Sequence, residues 1–368
     1  MPWSGIRRFI PLLGGLVLSA CALQNPSYNN GPDAPPGPER PMASLPGWNQ
    51  TDAAAALASF VVSCKALMLM PPDTSLGGRG LARERAGQAG LWDAACAAAK
   101  VVQPGDQLAA RQFFQNWFDL YQISGQALIT GYFEPEVPGS KNERAGYSVP
   151  LYAKPALASL ARLPRAAIDN GALYRKTPVT AYVTNPVDAF MLQVQGAGRV
   201  ILPNGMVLSV GFDGDNGLPY TPIGGLLIKM GALAPDNVSY QSISAWLKAH
   251  PDQARGIMEQ NENYVYLRPL GYLPASEGPP GALGVPLTAE HSIAVDRAAL
   301  PLGAPIFVAT TDPVTGSPMD ILTIAQDTGA GLAGPDQADI FFGAGPDAQQ
   351  TAGSMHQSGA LYILLPKP

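Results

Sequence analysis

Charge is scarce in this chain. Only 14% of its 368 residues are Asp, Glu, Lys or Arg, and the 23 Lys and Arg are outnumbered by 28 Asp and Glu. A net charge of −5 argues against the basic stripe that a nucleic-acid binder requires, so no nucleic-acid partner is expected, although a local groove of either sign remains open. Histidine and cysteine are scarcer still, with three of each. His250, His291 and His356 are scattered and no Cys/His set has metal-ligand spacing, so neither a metal site nor any other cofactor is expected. No apolar run approaches the ~20 residues of a membrane-spanning helix. What is abundant is Gly (40), Pro (37) and hydrophobic residues (46%). That mixture excludes wholesale disorder and favours many short strands and turns over long helices.

The first twenty residues read as an export signal: Arg7 and Arg8 precede a short apolar stretch, Phe9 to Ala20. The stretch ends "LVLSAC", and small residues before Cys21 resemble the bacterial lipobox, in which the cysteine is lipidated and becomes the N-terminus. No Asp follows Cys21, which for that class implies the outer membrane, facing the periplasm. Residues 21–47, rich in Pro, Gly and Asn, read as the lipidated cysteine and a flexible tether. Cys64 and Cys96 then remain as an even pair in an oxidising compartment, so a disulfide is expected, with two buried free thiols as the alternative.

Residues 51–120 carry helical periodicity, with Thr51 or Asp52 as a first cap and Asp106 near the start of a later helix. The Gly-rich loop between "TDAAAALASFVVSCKALMLM" and "GLWDAACAAAKVV" would let two antiparallel helices bring Cys64 to Cys96. Phe113, Phe114, Trp117, Phe118 and Tyr121 recur at helical spacing and read as a core face. After about residue 126 the texture turns to short β-type runs, among them "AFMLQVQGAGRVILPNGMVLSVGF", where Asn204-Gly205 signals a hairpin. Two helices are predicted in "PIGGLLIKMGAL" and "SYQSISAWLKAHPDQARGIMEQN". A Gly/Pro-rich linker at 274–284 precedes a last set of strands.

The stretch "AQDTGAGLAGPDQADIFFGAG", residues 325–345, holds carboxylates among small, apolar and aromatic residues with no Lys or Arg. Aspartates in glycine-rich turns are the more ordinary explanation; the alternative is a carboxyl group whose pKa is raised by burial. "Asp-Thr-Gly" at 327–329 is not an aspartic protease signature here, because too little chain follows it and no second triplet occurs. A paired-carboxylate glycosidase would draw on Asp296, Asp327 and Asp339, with Glu134 and Glu136 more distant.

Five motifs occur in order: "TGYFEP" (130–135), "MLQVQGAGRV" (191–200), "DNGLPYTPIGGLLI" (215–228), "TAEHSIAVDRAALPLGAPIFV" (288–308) and the stretch at 325–345. Together they resemble the membrane-bound lytic murein transglycosylase A family, with its C-terminal segment of three aspartates, matched here by Asp296, Asp327 and Asp339. One departure is "QGAG", where family members often carry Ser at the third place. The resemblance implies a mainly β fold with an N-terminal helical region: a double-psi β-barrel from residues 48–134 plus 281–368, with a smaller glycan-binding β domain, 135–280, inserted. It implies a lyase acting on peptidoglycan glycan strands, an exolytic transglycosylase with Asp339 as acid/base and Asp327 beside it. Asp296, next to Arg297, is expected to be ion-paired and structural. Thr130, Tyr132, Gln195, Asn216 and Tyr220 are the expected groove residues. Partners in cell-wall synthesis are left open, and the competing reading is a non-catalytic lipoprotein that binds the same glycan.

Overall fold

The computed structural model describes residues 37, 39–272, 277–329 and 331–368. Cys21 and the export signal lie outside them. The strands are β1 (Glu39–Arg40), β2 (Phe118–Glu134), β3 (Glu136–Ser140), β4 (Val149–Tyr152), β5 (Val179–Val183), β6 (Ala197–Ile201), β7 (Val207–Asp215), β8 (Val265–Gly271), β9 (Ser292–Val295), β10 (Pro305–Thr311), β11 (Pro318–Asp327), β12 (Gln337–Ala344) and β13 (His356–Pro366). They form two sheets. One runs β1-β2-β12-β9-β11-β10-β13, and an added β2–β13 pairing closes its last six strands into a barrel. The other is a six-stranded sheet, β4-β5-β3-β6-β7-β8.

Helices at Ala53–Leu67, Gly80–Ala86, Asp93–Ala99 and Gln107–Trp117 cover the barrel. Local chemistry sets two of their starts: Asp52 accepts from the Ala55 amide and Asp106 from the Ala109 amide, both at 2.9 Å. Phe60 is fully buried where Trp92, Phe113, Phe114 and Phe118 converge, with ring centroids 5.7–6.3 Å away. Cys64 and Cys96 are joined by a disulfide between the helices Ala53–Leu67 and Asp93–Ala99.

The structure departs from the sequence-based expectations at four places. The tether ends early: the Gly37 amide donates to the Gln122 carbonyl, β1 pairs with β2, and Met42 and Leu45 enter the barrel core. Those two apolar residues give this end of the segment something to bury. The aromatic stripe is not one helix face, because the chain turns from helix to strand at Phe118 and leaves Trp117 partly exposed. "AFMLQVQ" is helical, within Pro186–Gln195: Asn185 caps the Val187 amide at 2.7 Å, Pro186 takes the first turn and Gly196 ends it at φ +77°. The helix expected over 239–261 is two, Tyr240–Ala249 and Pro251–Met258, since Pro251 cannot continue the first. The Asn204-Gly205 hairpin does join β6 to β7, with Gly205 at φ +81°.

Candidate active site

Strand register gathers the carboxylates. Asp339 on β12 lies opposite Thr130 of β2 on one side and Ala294 of β9 on the other, and Asp327 at the end of β11 pairs with the same Ala294. The two carboxylates thus flank one small residue, about 10 Å apart at the backbone from two strand spacings. They open into a cleft of about 420 Å³ that Tyr132, Gln195 and Tyr220 also line.

The two groups differ in environment. Asp327 is held: Tyr132 donates its hydroxyl to Oδ2 and the Ala282 amide donates to Oδ1, both at 2.9 Å. Burial raises its pKa, and bonds from Thr328, Tyr132 and Ala282 offset only part of that rise. Asp339 is not held. Its Oδ1 is buried and finds no hydrogen-bond partner among the described residues, although the residue as a whole is half-buried. Burial pushes its pKa up to about 7, the Asp327 charge adds to the rise, and the Thr130 hydroxyl opposes it. That hydroxyl also lies 3.4 Å from the Ala338 carbonyl, so it is a shared, weak donor. The cleft does contain a cation, Arg165, but its guanidinium is committed to the Asn261 and Asn263 carbonyls and to Gln193 Oε1 at 2.6–2.8 Å. A carboxyl near neutrality beside a fixed carboxylate is equipped to give and take a proton.

Two segments match known domains: residues 128–268 the MltA specific insert domain and residues 291–365 the 3D domain. The chain is 30% identical over 277 residues to membrane-bound lytic murein transglycosylase A of Escherichia coli, covering 72% of this chain and 73% of that protein. The membrane-bound lytic murein transglycosylase from Agrobacterium tumefaciens superposes with a TM-score of 0.79 at 29% identity, over 89% of this chain and 97% of that one. A lytic transglycosylase of Burkholderia pseudomallei is 36% identical, with a TM-score of 0.59 over 90% and 95% of the two chains. This chain belongs to the membrane-bound lytic murein transglycosylase A family.

Within this family member, the expected site residues divide into three groups. Asp327, Asp339, Thr130, Tyr132, Gln195 and Tyr220 meet in the cleft. Gln195 turns Oε1 to the Phe133 amide at 3.1 Å, and Tyr132 packs its ring on Phe341, centroids 5.2 Å apart. Asp296 is structural in a different way from that expected. It does not pair with Arg297, whose guanidinium bonds the Ser75 and Leu76 carbonyls. Instead it accepts from the Ala298 amide (2.8 Å) and the Gly334 amide (2.7 Å), which pins the loop between the other two aspartates. Asn216 must be withdrawn as a groove residue. It is buried, donates to the Leu163 and Glu262 carbonyls, and accepts from the Leu218 and Tyr264 amides, so its amide has no bond left for a ligand.

Ala282 had no sequence signal as a site residue, since an amide donor carries none. Its neighbour Gly281 hints at it in retrospect: a Cβ there would lie 2.5 Å from the Gln326 carbonyl, and this close approach brings the Ala282 amide onto Asp327.

Proposed function

We propose that this chain is a lytic transglycosylase that cleaves the β-1,4 bond between N-acetylmuramic acid and N-acetylglucosamine of peptidoglycan without water, with Asp339 as the single acid/base. Family membership carries the reaction class. The observation that carries the residue assignment is the contrast between the carboxyls: Asp339 has a buried, unpartnered oxygen and a pKa near 7, while both oxygens of Asp327 already accept bonds. Protonated Asp339 donates to the leaving glycosidic oxygen. As carboxylate it then takes the proton from the muramyl 6-hydroxyl as that oxygen closes onto C1, giving the 1,6-anhydro sugar. Asp327, as an anion held by Tyr132 and Ala282, keeps Asp339 protonated at the start and stabilises positive charge developing at C1.

The strands of the closed barrel come from residues 118–134 and 292–366, and those of the second sheet from 136–271. This supports reading 48–134 plus 281–368 as one double-psi barrel domain with 135–280 inserted, and glycan lying where the two meet. The relatives' description as membrane-bound supports attachment through a lipid on Cys21 to the outer membrane. No described helix is long and apolar enough to cross a membrane.

Digestion of purified sacculi, with the products weighed, tests the reaction. Wild type is expected to release anhydro-muropeptides, one water lighter than hydrolysis products, and Asp339→Asn to release none while still sedimenting with sacculi. Hydrated products would make the enzyme a hydrolase, binding without products from wild type would make the chain a glycan-binding lipoprotein, and turnover retained by the variant would remove Asp339 from its role.

A further inference from the structure

A second cleft is larger than the one that holds Asp327 and Asp339. At about 940 Å³, it opens among β4, β5 and the helices Arg165–Asp169, Pro186–Gln195 and Pro251–Met258, and it holds none of the three aspartates. Arg165 and Gln193 line both clefts, so the two share a wall.

The second cleft is chemically specific. The hydroxyls of Tyr152, Tyr174 and Tyr182 make no hydrogen bond to any described residue, and Tyr174 is 52% exposed. Four cations other than Arg165 line it. Two are neutralised, Lys248 by Asp188 at 2.7 Å and Arg255 by Glu259 at 2.8 Å. Lys141 and Arg175 have no carboxylate within ion-pair distance among the described residues. Both lie over tyrosine rings instead, Lys141 4.9 Å from the Tyr272 centroid and Arg175 5.2 Å from that of Tyr174. Arg175 adopts φ +56°, one of two non-glycine residues at positive φ among those described. An arginine held in that region, beside an exposed ring, is a strained conformation of the kind retained where a side chain must be aimed. Glu143 and Asp169 put negative charge on the same walls. Cations without ion-pair partners, carboxylates and unbonded tyrosine hydroxyls on one concave surface suit a short zwitterionic ligand: cations for its carboxylates, carboxylates for an amine, hydroxyls for its amides.

We propose that this second cleft binds the peptide stem of peptidoglycan, a short peptide that carries several carboxylates and a free amine. The proposal rests on the peptidoglycan reading above and adds that the enzyme recognises the stems as well as the glycan. Each muramyl residue carries such a peptide, so a stem held here would raise the local concentration of glycan at the catalytic cleft.

The test uses the whole lipid-free protein and the free tetrapeptide L-Ala-γ-D-Glu-diaminopimelate-D-Ala as probe, with tetra-alanine as control. Titration calorimetry is expected to show saturable binding of the probe and much weaker binding of the control. The variant Lys141→Ala/Tyr174→Ala/Arg175→Gly alters three exposed side chains, and glycine accepts the positive φ at position 175. It is expected to weaken probe binding at least about tenfold, roughly the loss of one or two charge-assisted bonds. It should also raise KM several-fold on intact sacculi and leave turnover of peptide-free glycan strands unchanged. No saturable binding by wild type, equal binding by the variant, or equal loss of activity on both substrates would overturn the proposal. Probe binding with no anhydro product from either substrate would sink the transglycosylase reading and leave the peptide site standing.

Discussion

At Asp339 a single carboxyl is placed where its ionised form is disfavoured, and this has a consequence for stability as well as for rate. Its folded pKa, about 7, lies above the ordinary 3.8. Stability from this group is therefore fully present below the unfolded value and is lost as pH rises through the folded one. At about 1.4 kcal/mol per unit, the ionised aspartate costs the fold up to about 4 kcal/mol at pH 8. Asp339→Asn should therefore raise Tm relative to wild type at pH 8 and leave it nearly equal at pH 4, as thermal melts at both pH values would show. Activity should fall as pH rises past about 7, because the proton needed for the leaving group is gone. Tyr132 acts on this group through Asp327. In Tyr132→Phe the Asp327 carboxyl loses a donor, titrates upward and repels the Asp339 charge less. The alkaline limb of kcat is then expected to move to lower pH by roughly half a unit, with kcat about tenfold down. An unmoved limb would reduce Tyr132 to a packing residue.

Among the elements, the helices over the barrel rest on two supports that act differently. Packing around Phe60 ties two of them, Ala53–Leu67 and Gln107–Trp117, together with Trp92 just before a third, to the start of β2. The Cys64–Cys96 disulfide closes a segment of 32 residues, which in the chain-entropy account contributes about 3–4 kcal/mol by restricting the unfolded chain. Both sulfurs lie in the helical layer, and among the described residues none of the helices covering the barrel lines the cleft that holds Asp327 and Asp339. A Cys64→Ala/Cys96→Ala variant should therefore melt about 5–10 °C lower while its activity at 25 °C stays within about twofold of wild type. A large activity loss at that temperature would mean that the helical layer shapes the site.

For the molecule as a whole, the decisive join is between the barrel and the second sheet. Glu134, at the end of β2, is buried against Arg199 of β6, with Oε2 accepting from Nε at 3.2 Å and from Nη2 at 3.1 Å. Burial raises the Glu134 pKa and Arg199 lowers it. Removing one member of a buried ion pair leaves the other's charge uncompensated and costs about 3–5 kcal/mol. Glu134→Ala is accordingly expected to lower stability by that amount in urea titration and to reduce kcat/KM, since the strand that carries Glu134 also carries Thr130 and Tyr132. A Tm unchanged from wild type would show that the two sheets are held without this pair.

The residues alone determined the helical N-terminal region and the hairpin at Asn204-Gly205, because capping, turn chemistry and periodicity act within a few positions of each residue, while the even cysteine count in an exported chain pointed to the disulfide and the ordered motifs named the family. They did not determine what each polar group bonds. Tyr132 meets Asp327 across 195 positions and Ala282 meets it across 45. Asn216 looks like any turn residue beside a glycine until the chain folds over it and takes up its whole amide. Asp296 lies next to an arginine in sequence yet bonds a loop 38 positions away. Strand register and burial fix such partners, and both belong to the closed barrel and the sheet beside it rather than to any local run of residues.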